Sequence, residues 1–123
     1  MPKRILIIDD SPIVRNLHAI MLKSAGFYTE DAENGFDALE KAMKSDFDLM
    51  IVDINMPKMD GFEFCRKMRK SERYTDIPLL IVSTESEAQD KMKGFKAGAN
   101  LYLVKPVQPE MLIENVNLLL SEE

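Results

Sequence analysis

Short apolar runs recur along the chain and separate stretches that have helical periodicity. Three runs are near-continuous, a fourth is weaker, and a fifth segment alternates; in chain order these are Ile5–Ile8, Tyr28–Ala32, Leu49–Val52, Leu79–Val82 and Leu101–Val104. A continuous apolar strand is typical of a parallel sheet covered by helices on both faces, whereas the alternating segment 28–32 is typical of an edge strand. The pattern therefore predicts one parallel sheet of five strands.

Each predicted strand is followed by a stretch with helical signals. Ser11 is a capping residue with Pro12 behind it, and Asn34-Gly35 and Asp60-Gly61 are turn signals before the second and third helices. The predicted helices run from Pro12 to about Gly26, Phe36–Lys44, Phe62–Arg69, Ala88–Ala97 and Pro109–Leu120. Strict alternation of this kind predicts a (βα)₅ α/β fold with a parallel sheet and right-handed crossovers, and residues 1–123 are expected to form one domain.

Length, charge and cysteine content narrow the class of protein. With 123 residues and a net charge of −5, the chain suits one core and disfavours broad binding to nucleic acid or anionic membrane. Cys65 is the single cysteine, so no intramolecular disulfide can form, and we expect a packed, inert thiol. No apolar segment approaches a membrane span or a secretory h-region. We expect a monomer in the cytoplasm, with no DNA binding and no membrane insertion.

Polar residues end four of the five predicted strands. They are Asp9-Asp10 after the first, Asp53 after the third, Ser83-Thr84 after the fourth and Lys105 after the fifth. The carboxyl ends of parallel strands meet at one edge of the sheet, where ligands bind in open α/β folds. The sequence therefore predicts a polar site at that edge.

Three neighbouring carboxylates repel one another, which raises the pKa of at least one of them unless a cation is present. An oxygen-only site suits Mg²⁺ or Mn²⁺ better than zinc, for which no second His and no suitable Cys exist. Lys105 is placed to neutralise an anionic oxygen, and a hydroxyl of Ser83 or Thr84 to bind another. This set suits carboxylate attack on phosphorus. The alternative is that Asp9 and Asp10 cap the first helix and Lys105 forms a plain salt bridge.

At these residues the sequence resembles the receiver domains of two-component response regulators, in particular the single-domain chemotaxis (CheY) type. The matching stretches are ILIIDDSP (5–12), DLMIVDINMPKMDGFEF (48–64), IPLLIVST (77–84) and AGANLYLVKP (97–106). They follow in family order with no large insertion. The resemblance implies a doubly wound, flavodoxin-like α/β fold with a parallel sheet of strand order 2-1-3-4-5.

The resemblance also implies a role for each site residue. Asp53 matches the phosphorylated aspartate, Asp10 the direct metal ligand, Asp9 the carboxylate that reaches the metal through water, and Asn55 the backbone carbonyl ligand; Ser83 matches the switch hydroxyl, Lys105 the phosphate-contacting lysine and Tyr102 the aromatic residue that turns inward on activation. It further implies Mg²⁺ and a cis peptide at Lys105–Pro106. Asn55 and Glu85 stand at variable positions that bear on the lifetime of the phosphoryl group.

The implied activity is that of a phosphorylated switch. A sensor histidine kinase or a small phosphodonor phosphorylates Asp53, the acyl phosphate hydrolyses slowly, and an effector protein reads the surface of helix 4, strand 5 and helix 5. The chain ends without an effector segment, so output by protein contact is expected. Alternatives are a phosphorelay intermediate, a receiver excised from a larger regulator, a receiver-like binding module that never cycles, and a phosphatase of the haloacid-dehalogenase type. The last usually has D-x-D at its first strand end, which Asp9-Asp10-Ser11 lacks.

The single histidine and three apolar residues are expected to have structural roles. His18, the single histidine, is expected to be structural or on the surface and not a phosphodonor. Met92, Phe95 and Met111 fit core packing better than an apolar docking patch.

A nucleotide-binding function is disfavoured because neither glycine-rich phosphate motif follows the first strand.

Overall fold

The fold follows the predicted alternation of strands and helices. The structure, a computed structural model, describes residues 2–121. Its elements are β1 (Arg4–Ile8), α1 (Pro12–Ser24), β2 (Tyr28–Ala32), α2 (Gly35–Lys44), β3 (Leu49–Val52), α3 (Gly61–Lys70), β4 (Leu79–Ser83), α4 (Ala88–Ala97), β5 (Leu101–Val104) and α5 (Pro109–Leu120). Three strands and two helices have the predicted bounds, and the other elements differ by one or two residues at an end.

All five strands are parallel, in the order β2-β1-β3-β4-β5. The alternating segment is an edge strand, as predicted, and β5 forms the other edge. The chain moves outward from β1 to β2 and then crosses to β3, so the two neighbours β1 and β3 lie at the point where the winding reverses. Ligands of open α/β sheets bind at that point. The strand order implied by the resemblance is confirmed.

The sheet has an apolar core on each face. Side chains alternate along β1, so that Leu6 and Ile8 pack toward α2, α3 and α4, whereas Ile5 and Ile7 pack toward α1 and α5. Burial on both faces explains why the strands are apolar without alternation. Cys65 belongs to the first core, where burial raises the pKa of its thiol to about 12, so the prediction of a packed thiol is confirmed and its inertness stays a prediction. Among residues 2–121, no helix is long and apolar enough to cross a membrane.

Side-chain caps begin the first three helices at the predicted positions. The Ser11 hydroxyl accepts a hydrogen bond from the Val14 N–H, Asn34 caps α2, and Asp60 caps α3 through the Glu63 N–H. Each cap satisfies an N–H group that has no partner inside its helix. The alternative that Asp9 and Asp10 cap α1 is therefore wrong, because Ser11 occupies that position.

The prediction of core packing for Met92, Phe95 and Met111 is wrong. These side chains are 59%, 50% and 51% exposed. The residues of α4 that face the sheet are the small Gly94 and Ala97, so its larger apolar side chains point outward. Helical periodicity shows that an apolar face exists but does not show what covers it.

Among residues 2–121, one residue other than glycine has a positive backbone φ angle. Lys58, in the loop between β3 and α3, has φ of 71°. A side chain in this region costs about 1 kcal/mol, so we expect Lys58→Gly to raise the free energy of unfolding by about 0.5–1 kcal/mol in urea titrations. Lys67→Gly, inside α3, is the control and should lower that energy by about 1 kcal/mol. A loss of stability in Lys58→Gly would contradict the assignment of strain.

Candidate active site at the carboxyl edge of the sheet

Three aspartates converge where β1 and β3 end. Each of Asp9, Asp10 and Asp53 has a carboxylate oxygen within 4.8 Å of such an oxygen on the other two. They meet because Ile8 pairs with Val52 in the register of β1 and β3, so the residues that follow share one edge. Asp9 and Asp53 are only 3% and 5% exposed, whereas Asp10 is exposed to solvent. The predicted convergence of the acids is confirmed.

Lys105 brings positive charge to the two buried acids. It follows β5, and its Nζ lies 2.7 Å from Asp9 Oδ2 and 3.5 Å from Asp53 Oδ1. The Lys105–Pro106 peptide is cis, the isomer that the resemblance implies. The shorter contact is with Asp9, so one ammonium group neutralises the pair unequally and leaves Asp53 the less compensated acid.

The electrostatics of Asp53 reflect this imbalance. Burial, together with repulsion by Asp9 and Asp10, raises the pKa of Asp53 from 3.8 to about 6, and Lys105 opposes the rise. A carboxylate held this way gains from any additional cation. At neutral pH it remains mostly ionised and therefore able to act as a nucleophile.

A network of hydrogen bonds on the β4–α4 side joins the predicted switch residues. Ser83 is fully buried, and its hydroxyl accepts a hydrogen bond of 3.1 Å from the Glu85 N–H. The Tyr102 hydroxyl donates to the Glu85 carbonyl at 2.7 Å, and Asn55 Nδ2 donates to Glu85 Oε1 at 3.1 Å. Glu85 thus links the loop after β3, the end of β4 and the ring on β5. Thr84 is exposed beside this network.

Tyr102 is half-buried between β5 and α4. A methyl group at Gly94 would lie 3.1 Å from Tyr102 Cδ2 and 2.9 Å from Ile81 Cδ1, so a glycine in α4 makes room for the ring. Burial raises the pKa of the Tyr102 phenol. The ring packs against the core, and its hydroxyl is bound to the loop that follows Ser83.

The backbone of Asp53 is held from two sides. Its N–H donates to the Ile8 carbonyl at 2.9 Å, and the Gly61 N–H donates to the Ile54 carbonyl at 2.9 Å. A methyl group on Gly61 would lie only 2.3 Å from the Asp53 carbonyl oxygen. The sequence predicted Gly61 as a turn residue, but it did not predict this close approach to Asp53.

Two residues of α1 approach the site without having been predicted there. Arg15 Nη1 donates to the Asp9 carbonyl at 2.7 Å. His18 is 3% exposed, and its Nδ1 has no hydrogen-bond partner among residues 2–121; burial and then Lys105 lower the pKa of its imidazole. Arg15 and His18 are three residues apart and so share a face of α1, but this spacing does not show that the face meets the site. For His18, the prediction of a structural role and not a donor role is in keeping with this burial.

The site places groups that can bind a cation close to groups that can bind an anion. The three carboxylates present hard oxygen ligands, which Mg²⁺ and Mn²⁺ prefer. Lys105 Nζ and the Ser83 end of β4 lie beside Asp53, where they are placed to meet oxygens of a group attached to that carboxylate. The geometry suits chemistry at Asp53 itself.

Comparison with known proteins identifies the family. The model of the response regulator receiver domain matches residues 5–117. The chain is 38% identical to protein PilH of Pseudomonas aeruginosa, over 96% of this chain and 98% of PilH. The solved structure of chemotaxis protein CheY4 of Vibrio cholerae superimposes with a TM-score of 0.93 at 38% identity, covering 97% of this chain and 99% of that one.

Other relatives are longer. The chain is 40% identical to the DNA-binding dual master transcriptional regulator RpaA of Synechocystis over 95% of its own length but only 48% of RpaA. It thus spans about half or less of several curated relatives and nearly all of PilH. A family model over most of the chain, full-length relatives above 30% identity and the shared sheet order agree: the chain belongs to the response regulator receiver domain family.

Proposed function

We propose that residues 1–123 form a receiver domain that accepts a phosphoryl group on Asp53 in the presence of Mg²⁺ and changes protein binding as a result. The observation that carries the proposal is the position of Asp53, which lies beside two further carboxylates and 3.5 Å from Lys105 Nζ. This environment supplies an ionised nucleophile with places for a cation on one side and an anion on the other.

Asp9, Asp10 and Asp53 fit a divalent metal ion. The raised pKa of Asp53 shows that its charge is under-compensated by Lys105 alone. Asp10 and Asp53 would be direct ligands, the Asn55 carbonyl a third, and Asp9 would act through water; Mn²⁺ suits the same set. When bound, Mg²⁺ supplies positive charge that stabilises the negative oxygens of the transferring group.

The chain's own residues then have distinct tasks in transfer. Asp53 Oδ forms a bond to phosphorus while the bond from phosphorus to the donor atom breaks, and the donor leaves with that electron pair. Lys105 and Ser83 bind phosphoryl oxygens, with Lys105 moving from Asp9 toward the new anion. Water later attacks phosphorus, the bond from phosphorus to Asp53 Oδ breaks with its electron pair returning to the carboxylate, and inorganic phosphate is released. This self-catalysed cycle is that of a phosphoacceptor and not of a conventional enzyme.

Phosphorylation would reach the surface through Ser83 and Tyr102. Ser83 moves toward the phosphoryl group, which breaks the hydrogen bond from the Glu85 N–H and frees the loop that also holds Tyr102. Tyr102 then turns into the space that Ser83 vacates, and this change biases the surface of α4, β5 and α5 between two states. The exposed apolar residues Met92 and Phe95 of α4 and Met111 of α5 flank β5 and support an effector surface there.

The partners proposed are a sensor histidine kinase or a small phosphodonor upstream and an effector protein on the face formed by α4, β5 and α5. A monomer in the cytoplasm is proposed, and chemotaxis is one pathway in which such a switch would act. The similarity to the chemotaxis protein CheY4 supports chemotaxis as one such pathway.

Site-specific labelling tests the function. The protein is incubated with Mg²⁺ and either acetyl phosphate or phosphoramidate, whose N–P bond is similar to that of phosphohistidine, and the modified residue is identified by borohydride reduction and mass spectrometry. We expect one phosphoryl group on Asp53, loss of the label over time, and no label when a chelator is present. Absence of label with both donors, or label on His18, would overturn the proposal.

A further inference from the structure

Arg15 binds the loop that carries two of the three acids. It lies one turn into α1, with a side chain only 15% exposed. Its Nη1 donates to the Asp9 carbonyl at 2.7 Å, and its Nε pairs with Asp31 Oδ2 at 2.9 Å at the end of β2. Asp31 thereby fixes the guanidinium plane, and Arg15 presents a directed N–H group to the Asp9 carbonyl.

Asp10 depends on its backbone for its position. Within residues 2–121, its side chain takes part in no described hydrogen bond or ion pair, in contrast to Asp9, which accepts from Lys105 and from the Ser11 N–H. The Asp9 N–H is bound to the Ala32 carbonyl at 3.1 Å. The remaining polar atom, the Asp9 carbonyl oxygen, belongs to the peptide plane that leads into Asp10, and Arg15 is the side chain that binds it.

We propose that Arg15 is a positioning residue: by holding the Asp9 carbonyl, it orients the Asp9–Asp10 peptide so that the Asp10 carboxylate faces Asp53 and is ready to bind a divalent cation. The inference rests on the proposed function, since it concerns the metal site of the same reaction. Partners that orient a ligand residue commonly change metal affinity by about tenfold or more.

The sign of the effect separates positioning from charge. Arg15 is a cation near a cation site, so its removal would strengthen Mg²⁺ binding if simple electrostatics dominated. If positioning dominates, removal frees the Asp10 backbone and weakens Mg²⁺ binding. The two explanations therefore predict opposite shifts in the dissociation constant.

The chain offers a matched control in Arg4. Arg4 binds one backbone carbonyl, that of Asp46, and one carboxylate of β2, Glu30, at 3.0 Å and 2.7 Å. It has the same kinds of polar contact as Arg15 but lies at the amino end of β1, whereas Asp53 follows the carboxyl end of β3. Arg4→Met thus shows how the loss of an arginine with such contacts changes stability when the metal site is not affected.

The test is isothermal titration calorimetry of Mg²⁺ into the full chain at pH 7.5, with initial phosphorylation rates from acetyl phosphate at limiting and saturating Mg²⁺. We expect Arg15→Met to raise the Mg²⁺ dissociation constant about tenfold. Its rate should fall at limiting Mg²⁺ and recover at saturation. Arg15→Lys retains the charge and one donor, so an intermediate weakening is expected, whereas Arg4→Met should bind as the wild type does.

The outcomes separate this inference from the proposed function. Equal or tighter Mg²⁺ binding in Arg15→Met, with wild-type binding intact, would overturn the positioning role alone. If Arg15→Met does not fold, wild-type affinity in Arg15→Lys would overturn it equally. A wild-type protein that binds no Mg²⁺ would instead remove the proposed function on which the inference rests.

Discussion

Asp53→Asn is expected to abolish phosphoryl uptake and, at the same time, to make the metal-free protein more stable at neutral pH. The first effect follows because an amide is not a nucleophile for phosphorus. The second follows because the wild type holds a buried carboxylate whose pKa is raised to about 6 by burial and by Asp9 and Asp10. A rise of this size corresponds to at most about 3 kcal/mol, and we expect a gain of about 1–3 kcal/mol in the free energy of unfolding.

The pH dependence of stability follows from the difference in the pKa of Asp53 between the unfolded and the folded chain. In the unfolded chain Asp53 loses its proton near pH 3.8, and in the folded chain near pH 6, so the folded state binds more protons between these values. The free energy of unfolding of the wild type therefore falls as pH rises from about 4 to about 6, through the contribution of this group. Asn has no such ionisation. The advantage of the variant should be absent near pH 4, grow up to pH 6 and then remain constant.

Magnesium and a second variant provide the controls. Mg²⁺ stabilises the wild type by binding the folded state, so the difference from Asp53→Asn should shrink as Mg²⁺ is added. Asp76→Asn makes the same chemical change at an exposed position before β4, at the other edge of the sheet, and should alter stability by less than about 0.5 kcal/mol. Retained label in Asp53→Asn, or a loss of its stability at pH 7.5 without Mg²⁺, would contradict the assignment.

The fold was predictable because burial on both faces leaves a strong pattern in a short chain. The segments around Ile5, Leu49 and Leu79 are apolar without alternation, and each is followed by a helix, which in the first two cases has a side-chain cap. Strand order was not predictable from this pattern, since every inner strand has the same two-sided burial; the resemblance implied it. The exposure of Met92 and Phe95 was also not predictable, because a helix face at a sheet edge is apolar whether the chain itself or a partner covers it.

In the site, the meeting of Asp9, Asp10 and Asp53 was predictable because strand ends share one edge. The finer contacts were not. That Lys105 lies closer to Asp9 than to Asp53 depends on the rotamer of a long side chain. The contact of Arg15 with a carbonyl depends on how the loop turns into α1, which periodicity does not specify.

Gly61→Ala is expected to be the most damaging single-methyl change near the site. The added Cβ would lie 2.3 Å from the Asp53 carbonyl oxygen and 2.9 Å from Ile54 Cα, and both obstacles are backbone atoms. Neither can rotate away, so either α3 or the end of β3 must shift, and the hydrogen bond from the Gly61 N–H to the Ile54 carbonyl must lengthen. Overpacking of this kind costs about 2–4 kcal/mol in the free energy of unfolding, measurable in urea.

Gly35→Ala is the matched control for this methyl group. Both glycines are the first residue of a helix after a side-chain cap, Asn34 for α2 and Asp60 for α3. A methyl on Gly35 would meet Met59 Sδ at 2.6 Å and its Cγ and Cβ at 3.1 and 3.2 Å, and all three atoms belong to a flexible side chain and not to the backbone. We therefore expect Gly35→Ala to change stability by less than about 1 kcal/mol.

The position of Asp53 decides what the methyl group does to function. If α3 and Asp53 are held together as the Gly61 contact indicates, Gly61→Ala displaces the nucleophile, and the rate of phosphorylation by acetyl phosphate at saturating Mg²⁺ should fall by about tenfold or more even under conditions where the variant is fully folded. Gly35→Ala should retain the wild-type rate. A folded Gly61→Ala protein with unchanged stability and an unchanged rate would show that the backbone at Asp53 yields freely, and the close approach of Gly61 would then have no part in placing the phosphoacceptor.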